Sequence, residues 1–122
     1  GSREVAAADP SGSPAAPPGG AAGVAAAIAD PVGLLGRLFD RVGPPYPERA
    51  SLEAIYDSAR ALWPIQSLGP ARRGEAAYVA GVAAAGLGEP AQCVRWVSRA
   101  LTLKPDSRGY RVMLDNCRSG AP

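Results

Sequence analysis

The sequence contains no histidine among its 122 residues and only two cysteines. Histidine is the usual general base near neutral pH and the commonest metal ligand, so its absence removes the most frequent catalytic and metal-binding chemistry. Two cysteines cannot form a four-sulfur zinc site, and there is no histidine to complete one. Glycine-rich phosphate loops after a strand and paired carboxylates among small polar residues are missing as well. We therefore expect a non-enzymatic protein with no metal and no cofactor.

Long apolar runs are also missing. A transmembrane helix needs about 18 or more predominantly apolar residues, and the best candidate, residues 21–42, is interrupted by Asp30-Pro31 and by further charged residues. The first residues do not resemble a secretory signal, because Gly, Ser and Pro fill the place of its apolar core. Gly1-Ser2 is typical of the remnant of a removed expression tag. We therefore expect the chain to begin inside a longer protein, with any link to a membrane lying in regions outside it.

Large side chains are scarce over residues 3–29, which consist mainly of Ala, Pro, Gly and Ser. Such a segment buries too little apolar area to offset its ordering entropy. The sequence therefore predicts a disordered linker over residues 1–29, tag remnant included, and a folded domain over residues 30–119. The Ala-rich end of the linker, residues 21–29, is expected to be helical if helix packing continues backwards along the chain.

Five helices and no alternating strand pattern are predicted for the folded domain, which makes it all-α. Apolar residues spaced by three and four, together with capping residues and Pro or Gly stops, indicate where each helix lies. The predicted helices cover about residues 31–42, 48–63, 71–87, 90–104 and 107–118, and residues 64–70 are predicted to be a loop. Short connections favour antiparallel neighbours, so we expect helical hairpins with the last helix as a cap.

The third and fourth predicted helices resemble a tetratricopeptide repeat. The first helix of that motif is matched by Ala80-Gly81, Ala84 and Leu87-Gly88, and the end of its second helix by the Ala-Leu-x-Leu-x-Pro ending at residues 100–105. Ala84 and Val97 replace the family's aromatic residues. One repeat then spans about residues 74–107, and a degenerate copy spans about residues 32–65. The alternative is an unrelated helical bundle with the same helix ending.

The resemblance implies a protein-interaction module. Tetratricopeptide-like hairpins bind extended peptides or partner helices on a concave face, which the first helix of each repeat lines. Transferred residue by residue, that face would consist of Glu75, Tyr78, Val82, Ala85, Val112 and Asn116. Tyr78 is the expected anchor, because an aromatic side chain among alanines offers the most contact area; the alternative is that it packs against the preceding helix. A second hypothesis is structural, in which the hairpins cap a longer helical array or self-associate.

Basic residues concentrate in the second half of the chain, although the net charge is only +2. Residues 71–118 contain eight basic and four acidic residues. Such an excess is compatible with a solvated helix face, with a patch for an acidic partner, or with nucleic-acid binding. The nucleic-acid hypothesis is the weakest, since only Tyr78 and Tyr110 could stack on bases. It depends on Arg72, Arg73, Arg95, Arg99, Arg108 and Arg111. Twelve of the thirteen basic residues are Arg, which suggests a GC-rich bacterial genome.

The two cysteines are placed symmetrically about Pro105, at Cys93 and Cys117. If Pro105 marks the tip of an antiparallel hairpin, a rise of about 1.5 Å per residue puts both sulfur atoms at the same height. Cys93 also stands where the repeat pattern has a small residue, and therefore where helices approach closely. We expect a disulfide, which would place the domain in an oxidising compartment such as the bacterial periplasm or the cell exterior. Two buried free thiols, in a cytoplasmic domain, are the main alternative, and a redox-active pair is a further one.

Overall fold

The structure of this chain, a computed structural model, describes Ala25, Ala27 and residues 29–120. Residues 30–120 form five α-helices and contain no strand, so the all-α prediction is confirmed. The helices are α1 (Pro31–Arg41), α2 (Arg49–Leu62), α3 (Gly69–Gly86), α4 (Pro90–Leu103) and α5 (Arg108–Ser119).

Local capping residues set several of these boundaries. Asp30 caps α1, since its Oδ1 accepts a hydrogen bond of 3.1 Å from the Gly33 amide. Ser107 caps α5 in the same way, and its Oγ accepts from the Tyr110 amide at 3.2 Å. Gly120 ends α5 in the left-handed conformation, with φ of 73°. Asp30 and Gly120 are the cap and the stop that the sequence predicts, and Ser107 is one of the two residues, with Asp106, that it predicts as the cap of α5.

The segment between α2 and α3 differs from its prediction as a loop over residues 64–70. Gln66–Leu68 form a 3-10 turn, and α3 begins at Gly69, two residues earlier than predicted. Proline at the start of α3 is compatible with the helix, because its fixed φ suits the first turn and its missing N–H would have no helical partner there. Gly69 has φ of 81°, which lets the chain change direction between the two helices.

The third helix lies at the centre of the fold. It contacts α1, α2, α4 and α5. Apart from α3, α1 contacts α2 and α5 contacts α4. The buried face of α3 consists mostly of small residues, which lets neighbouring backbones come close: Ala76, Ala77, Ala80, Gly81, Ala83 and Ala84. Ring contacts link α1 to α3, α3 to α5 and α2 to α4. We therefore describe the fold as two layers, α1–α3–α5 and α2–α4.

Helical structure extends further back than the predicted domain boundary at residue 30. Ala25, Ala27 and Ala29 are helical, and Ala27 is 1% exposed within the hydrophobic core. This agrees with the expectation that residues 21–29 become helical where helix packing continues. The rest of the predicted disordered linker lies outside the described residues. Over the part of the chain that the structure describes, no helix has the length and apolarity needed to cross a membrane.

Candidate functional site

Four aromatic side chains meet on the α1–α3–α5 layer, and we call them the aromatic cluster: Phe39, Tyr46, Tyr78 and Tyr110. Tyr78 stacks on Tyr110 with ring centroids 4.8 Å apart and an interplanar angle of 22°. Phe39 approaches Tyr78 at 6.1 Å with a tilt of 35°. Tyr46 lies close enough to Tyr78 to influence its ionisation. Tyr78 therefore has packing partners on both sides, on α1 and on α5, and is half-buried between them.

The pKa values of these tyrosines are raised, which indicates that their hydroxyl groups are partly buried and that one carboxylate lies nearby. Burial raises the pKa of Tyr110 to about 12, and the negative charges of Glu75 and of an ionised Tyr78 add to the increase. Burial also raises the pKa of Tyr78, with a smaller contribution from Tyr46. All these phenols are therefore neutral near pH 7. Glu75 is the carboxylate that adjoins the cluster, and it has no ion pair among the described residues.

The six residues predicted for a binding face occupy different environments. Tyr78 belongs to the aromatic cluster, and Glu75 lies close enough to Tyr110 to raise its pKa. Val82 is only 2% exposed and belongs to the core, so it offers no surface to a partner. Ala85 is half-buried beside the cysteine pair. Val112 and Asn116 share one side of α5, where Val112 is 54% exposed and Asn116 is half-buried.

The exposed apolar surface next to the cluster lies on α1. Phe39 is 45% exposed although it contacts Tyr78, and Val32 is 49% exposed. These two residues are seven apart on one helix and therefore share a side. The spacing of Phe39 from Leu35 is that of a core position, so the sequence predicts that Phe39 belongs to the apolar stripe of the helix. The structure adds Phe39 to the candidate surface.

A second group of side chains joins α2 to α4, and we call it the arginine–tryptophan cluster: Tyr56, Arg60, Trp63, Arg73, Trp96 and Arg99. Trp63 meets Trp96 edge to face, with centroids 5.9 Å apart. The indole N–H of Trp96 donates a hydrogen bond of 3.2 Å to the Tyr56 hydroxyl. These contacts hold two helices together across a surface that remains partly open to solvent.

Arginine side chains cover the aromatic faces of this cluster. The Arg99 guanidinium carbon lies 4.4 Å from the Trp96 ring centroid and 5.9 Å from that of Trp63. Arg73 lies 4.8 Å from the Trp63 centroid, and its Nε donates to the Trp63 carbonyl at 2.8 Å. Arg60 lies 5.3 Å from the Tyr56 centroid. At these distances each guanidinium is attracted electrostatically to the face of its ring.

An open polar depression adjoins the arginine–tryptophan cluster between α2 and α4. It is lined by Tyr56, Arg60, Gln92, Arg95, Trp96 and Arg99. Arg95 and Arg99 were among the basic residues that the sequence singled out, as was Arg73. Arg60, Trp63 and Trp96 were missed as members of one site. Tyr56 and Trp63 are seven residues apart and therefore share a helix side, but only tertiary packing shows that this side meets Trp96 on α4.

The remaining predicted basic residues lie elsewhere. Arg72 is exposed on α3, and Arg108 and Arg111 are exposed on α5. Arg111 donates a hydrogen bond to the carbonyl of Pro105 in the turn before its helix. Of the six arginines in the nucleic-acid hypothesis, Arg95 and Arg99 line the polar depression and Arg73 lies over Trp63.

Cys93 and Cys117 bring α4 and α5 together at the other end of the hairpin from Pro105. Their sulfur atoms lie at disulfide distance, and their Cα atoms are 5.5 Å apart. Both side chains are buried. A cavity of about 140 Å³ adjoins them, with Ala85, Gly88 and Pro90 also in its wall. The cysteines therefore lie together as the count from Pro105 predicts.

Comparison with known proteins adds no relative: no protein family, curated protein or solved structure matches this chain.

Proposed function

We propose that this chain is a non-enzymatic protein-interaction module that binds a peptide segment of a partner protein on its α1–α3–α5 layer. The observation that carries the proposal is the 45% exposure of Phe39 beside the half-buried Tyr78. Aromatic side chains at the centre of an interface supply much of its binding free energy. In this proposal the α3–α4 hairpin is tetratricopeptide-like, and the layer of first helices carries the ligand.

The chemistry of the surface favours a particular peptide. Phe39 and Val32 offer apolar contact on one side of α1, while Glu75 supplies a negative charge next to the tyrosines. The complementary segment carries an apolar side chain and, beside it, a Lys or Arg. Val82 takes no part in this contact, because it is buried.

Panning a displayed library of linear twelve-residue peptides against the folded domain tests the proposal. Enriched peptides should combine an apolar residue with a nearby Lys or Arg. Phe39→Ala should weaken their binding by about tenfold or more. Glu75→Gln should weaken it by about twofold to fivefold, as is usual for an exposed charge pair, while the control Glu48→Gln on the N-cap of α2 should leave it unchanged.

Two results would contradict this assignment. Enriched peptides that bind wild type and Phe39→Ala equally would place the ligand elsewhere on the chain. Concentration-dependent sedimentation that Phe39→Ala abolishes would show that the exposed ring serves self-association instead. Circular dichroism of each variant must first show the wild-type helix content, so that lost binding is not lost folding.

We propose further that the domain matures in an oxidising compartment, the periplasm or the exterior of a bacterial cell. The cysteine pair at disulfide distance supports this placement, because disulfides persist in such compartments and are rare in the cytosol. Two thiols that stay reduced in the native protein would favour a cytoplasmic location.

A further inference from the structure

The groove between α2 and α4 holds more positive charge than neighbouring carboxylates balance. Arg60, Arg95 and Arg99 all line the polar depression in this groove. The acidic residue beside it is Asp57, whose Oδ1 lies 3.9 Å from Arg60 Nη1, with both side chains about half exposed. An exposed pair at this distance binds Arg60 only weakly. The guanidinium groups are therefore available to an external anion.

The arrangement of the rings orients these cations in advance. Arg99 lies over Trp96, and Arg60 lies over Tyr56, so each guanidinium is held by one face. A stacked guanidinium keeps its N–H groups at its edge, where they can donate paired hydrogen bonds to a carboxylate. Side chains that are already oriented lose less rotamer entropy when they bind.

We propose that this groove binds an acidic peptide segment through its Asp and Glu carboxylates. Arg95 and Arg99 are one helical turn apart on α4, and Arg60 lines the same depression from α2. Three cationic side chains around one open groove are complementary in charge to a peptide segment that carries several carboxylates. Gln92, at the same groove, can hydrogen-bond the peptide backbone.

The same contacts disfavour a single-stranded nucleic acid as the ligand. Such ligands bind where bases stack on open aromatic faces. Here Arg99 lies over Trp96, Arg73 lies over Trp63, and Trp96 is only 6% exposed. The rings orient arginines and leave little face for a base. The acidic peptide is therefore the ligand that the groove fits.

The two tryptophans of the chain provide a reporter for this groove alone. Trp63 and Trp96 are the only tryptophans in the sequence, and both belong to the arginine–tryptophan cluster. A carboxylate that binds Arg99 where it lies over Trp96 brings a negative charge close to the indole, which will change its emission. The proposed peptide site at Phe39 contains no tryptophan, so a response at one surface is distinguishable from binding at the other.

The experiment titrates the folded chain with a twelve-residue peptide of alternating Glu and Ser, and records tryptophan emission. We expect a saturable change that weakens as salt is added, and no change with the peptide in which Gln replaces every Glu. Arg95→Gln should weaken binding by about twofold to fivefold. Arg95→Gln with Arg99→Gln should weaken it by about tenfold. The matched control Arg37→Gln, an exposed arginine on α1, should change it by less than about twofold.

Three outcomes would overturn the proposal. The first is an equal response to the Gln–Ser peptide. The second is an equal loss of affinity in Arg37→Gln, which would mean that only net charge matters. The third is a tighter saturable response to a twelve-nucleotide oligouridylate than to the Glu–Ser peptide. If removing Arg99 disturbs the fold, Arg95→Gln alone still decides, because Arg95 is exposed and stacks on neither tryptophan.

Discussion

The smallest residues of α3 decide how closely its neighbours approach. A Cβ built at Gly81 would lie 2.5 Å from a methyl carbon of Val97 and 3.3 Å from the Cys93 carbonyl oxygen on α4. Two of the three nearest atoms are backbone atoms of α4, so a rotamer change of Val97 would not remove the conflict. Gly36 on α1, by contrast, has no atom within 4 Å of such a Cβ.

We expect Gly81→Ala to lower the free energy of unfolding by up to about 2 kcal/mol. The crowding costs about 1–3 kcal/mol, and the better helix propensity of alanine returns about 1 kcal/mol of it. The matched change Gly36→Ala should raise stability by about 0.5–1 kcal/mol, because it gains the propensity and meets no neighbour. Guanidinium unfolding of both variants measures the difference. Equal gains in both would show that α3 and α4 do not approach as closely as described.

Tyr110 gives the fold a dependence on alkaline pH. Its pKa is about 12 in the folded chain, against about 10 for an unperturbed tyrosine. A raised folded-state pKa means that folding favours the neutral phenol. The contribution of neutral Tyr110 to the free energy of unfolding is therefore complete below pH 10 and is lost as the pH rises from 10 to 12. The raised pKa values of Tyr78 and Tyr46 act in the same direction.

We therefore expect the guanidinium midpoint to fall between pH 9 and pH 11.5, and to fall less in Tyr110→Phe. The phenylalanine keeps the ring that stacks on Tyr78 and removes the ionisable hydroxyl. Unfolding curves at three pH values for both proteins provide the measurement. Parallel losses in the two proteins would assign the alkaline instability to other groups.

At the scale of the helices, capping residues and apolar spacing were sufficient to predict five elements. Asp30, Ser107 and Gly120 act locally, through bonds to residues three or four away, so the sequence reveals them directly. The start of α3 at Gly69 was missed because Gly-Pro is common in loops, although proline also fits a first helical turn.

The candidate sites were harder to predict than the helices. Val82 was assigned to the binding face through the tetratricopeptide resemblance but is buried, because α3 is surrounded on several sides. Tyr56, Trp63 and Trp96 meet only through the packing of α2 beside α4, with about 33 residues separating the two tryptophans. The periodicity of one helix shows which of its residues lie on the same side. It does not show which other helix covers that side.

The cysteine pair lies at disulfide distance between α4 and α5, and its removal should weaken the association of the two helices. The sequence separation of 24 residues corresponds to about 3 kcal/mol of loop-closure stabilisation in an unstrained disulfide. We expect Cys93→Ala with Cys117→Ala to lower the free energy of unfolding by about this amount, as measured in guanidinium. Reductant should destabilise the wild type to a similar extent and leave the double variant unaffected. Mass spectrometry after alkylation without reductant provides the decisive control, since two alkylated thiols would mean that no disulfide had formed.

At the scale of the whole molecule, α3 couples elements that are distant in sequence. It contacts α1 and α5, and the contacts of Phe39 with Tyr78 and of Tyr78 with Tyr110 run across all three helices. Both tryptophans lie on the other layer, at α2 and α4. A substitution in α1 can therefore affect the tryptophan environment only through α2 and α3. Destabilising α1 thus tests whether the whole chain unfolds as one cooperative unit.

Leu38→Ala supplies that test, because Leu38 is fully buried on α1 and its truncation should cost about 2–4 kcal/mol. If the chain is cooperative, helix content by circular dichroism and tryptophan emission will share one guanidinium midpoint, and the substitution will lower both together. The control Val32→Ala, on the exposed side of the same helix, should shift either signal by less than about 0.5 kcal/mol. If circular dichroism instead shows helix being lost at lower guanidinium concentration while the tryptophan midpoint stays at its wild-type value, α1 unfolds by itself. The α1–α3–α5 surface would then be assembled and lost independently of the α2–α4 groove.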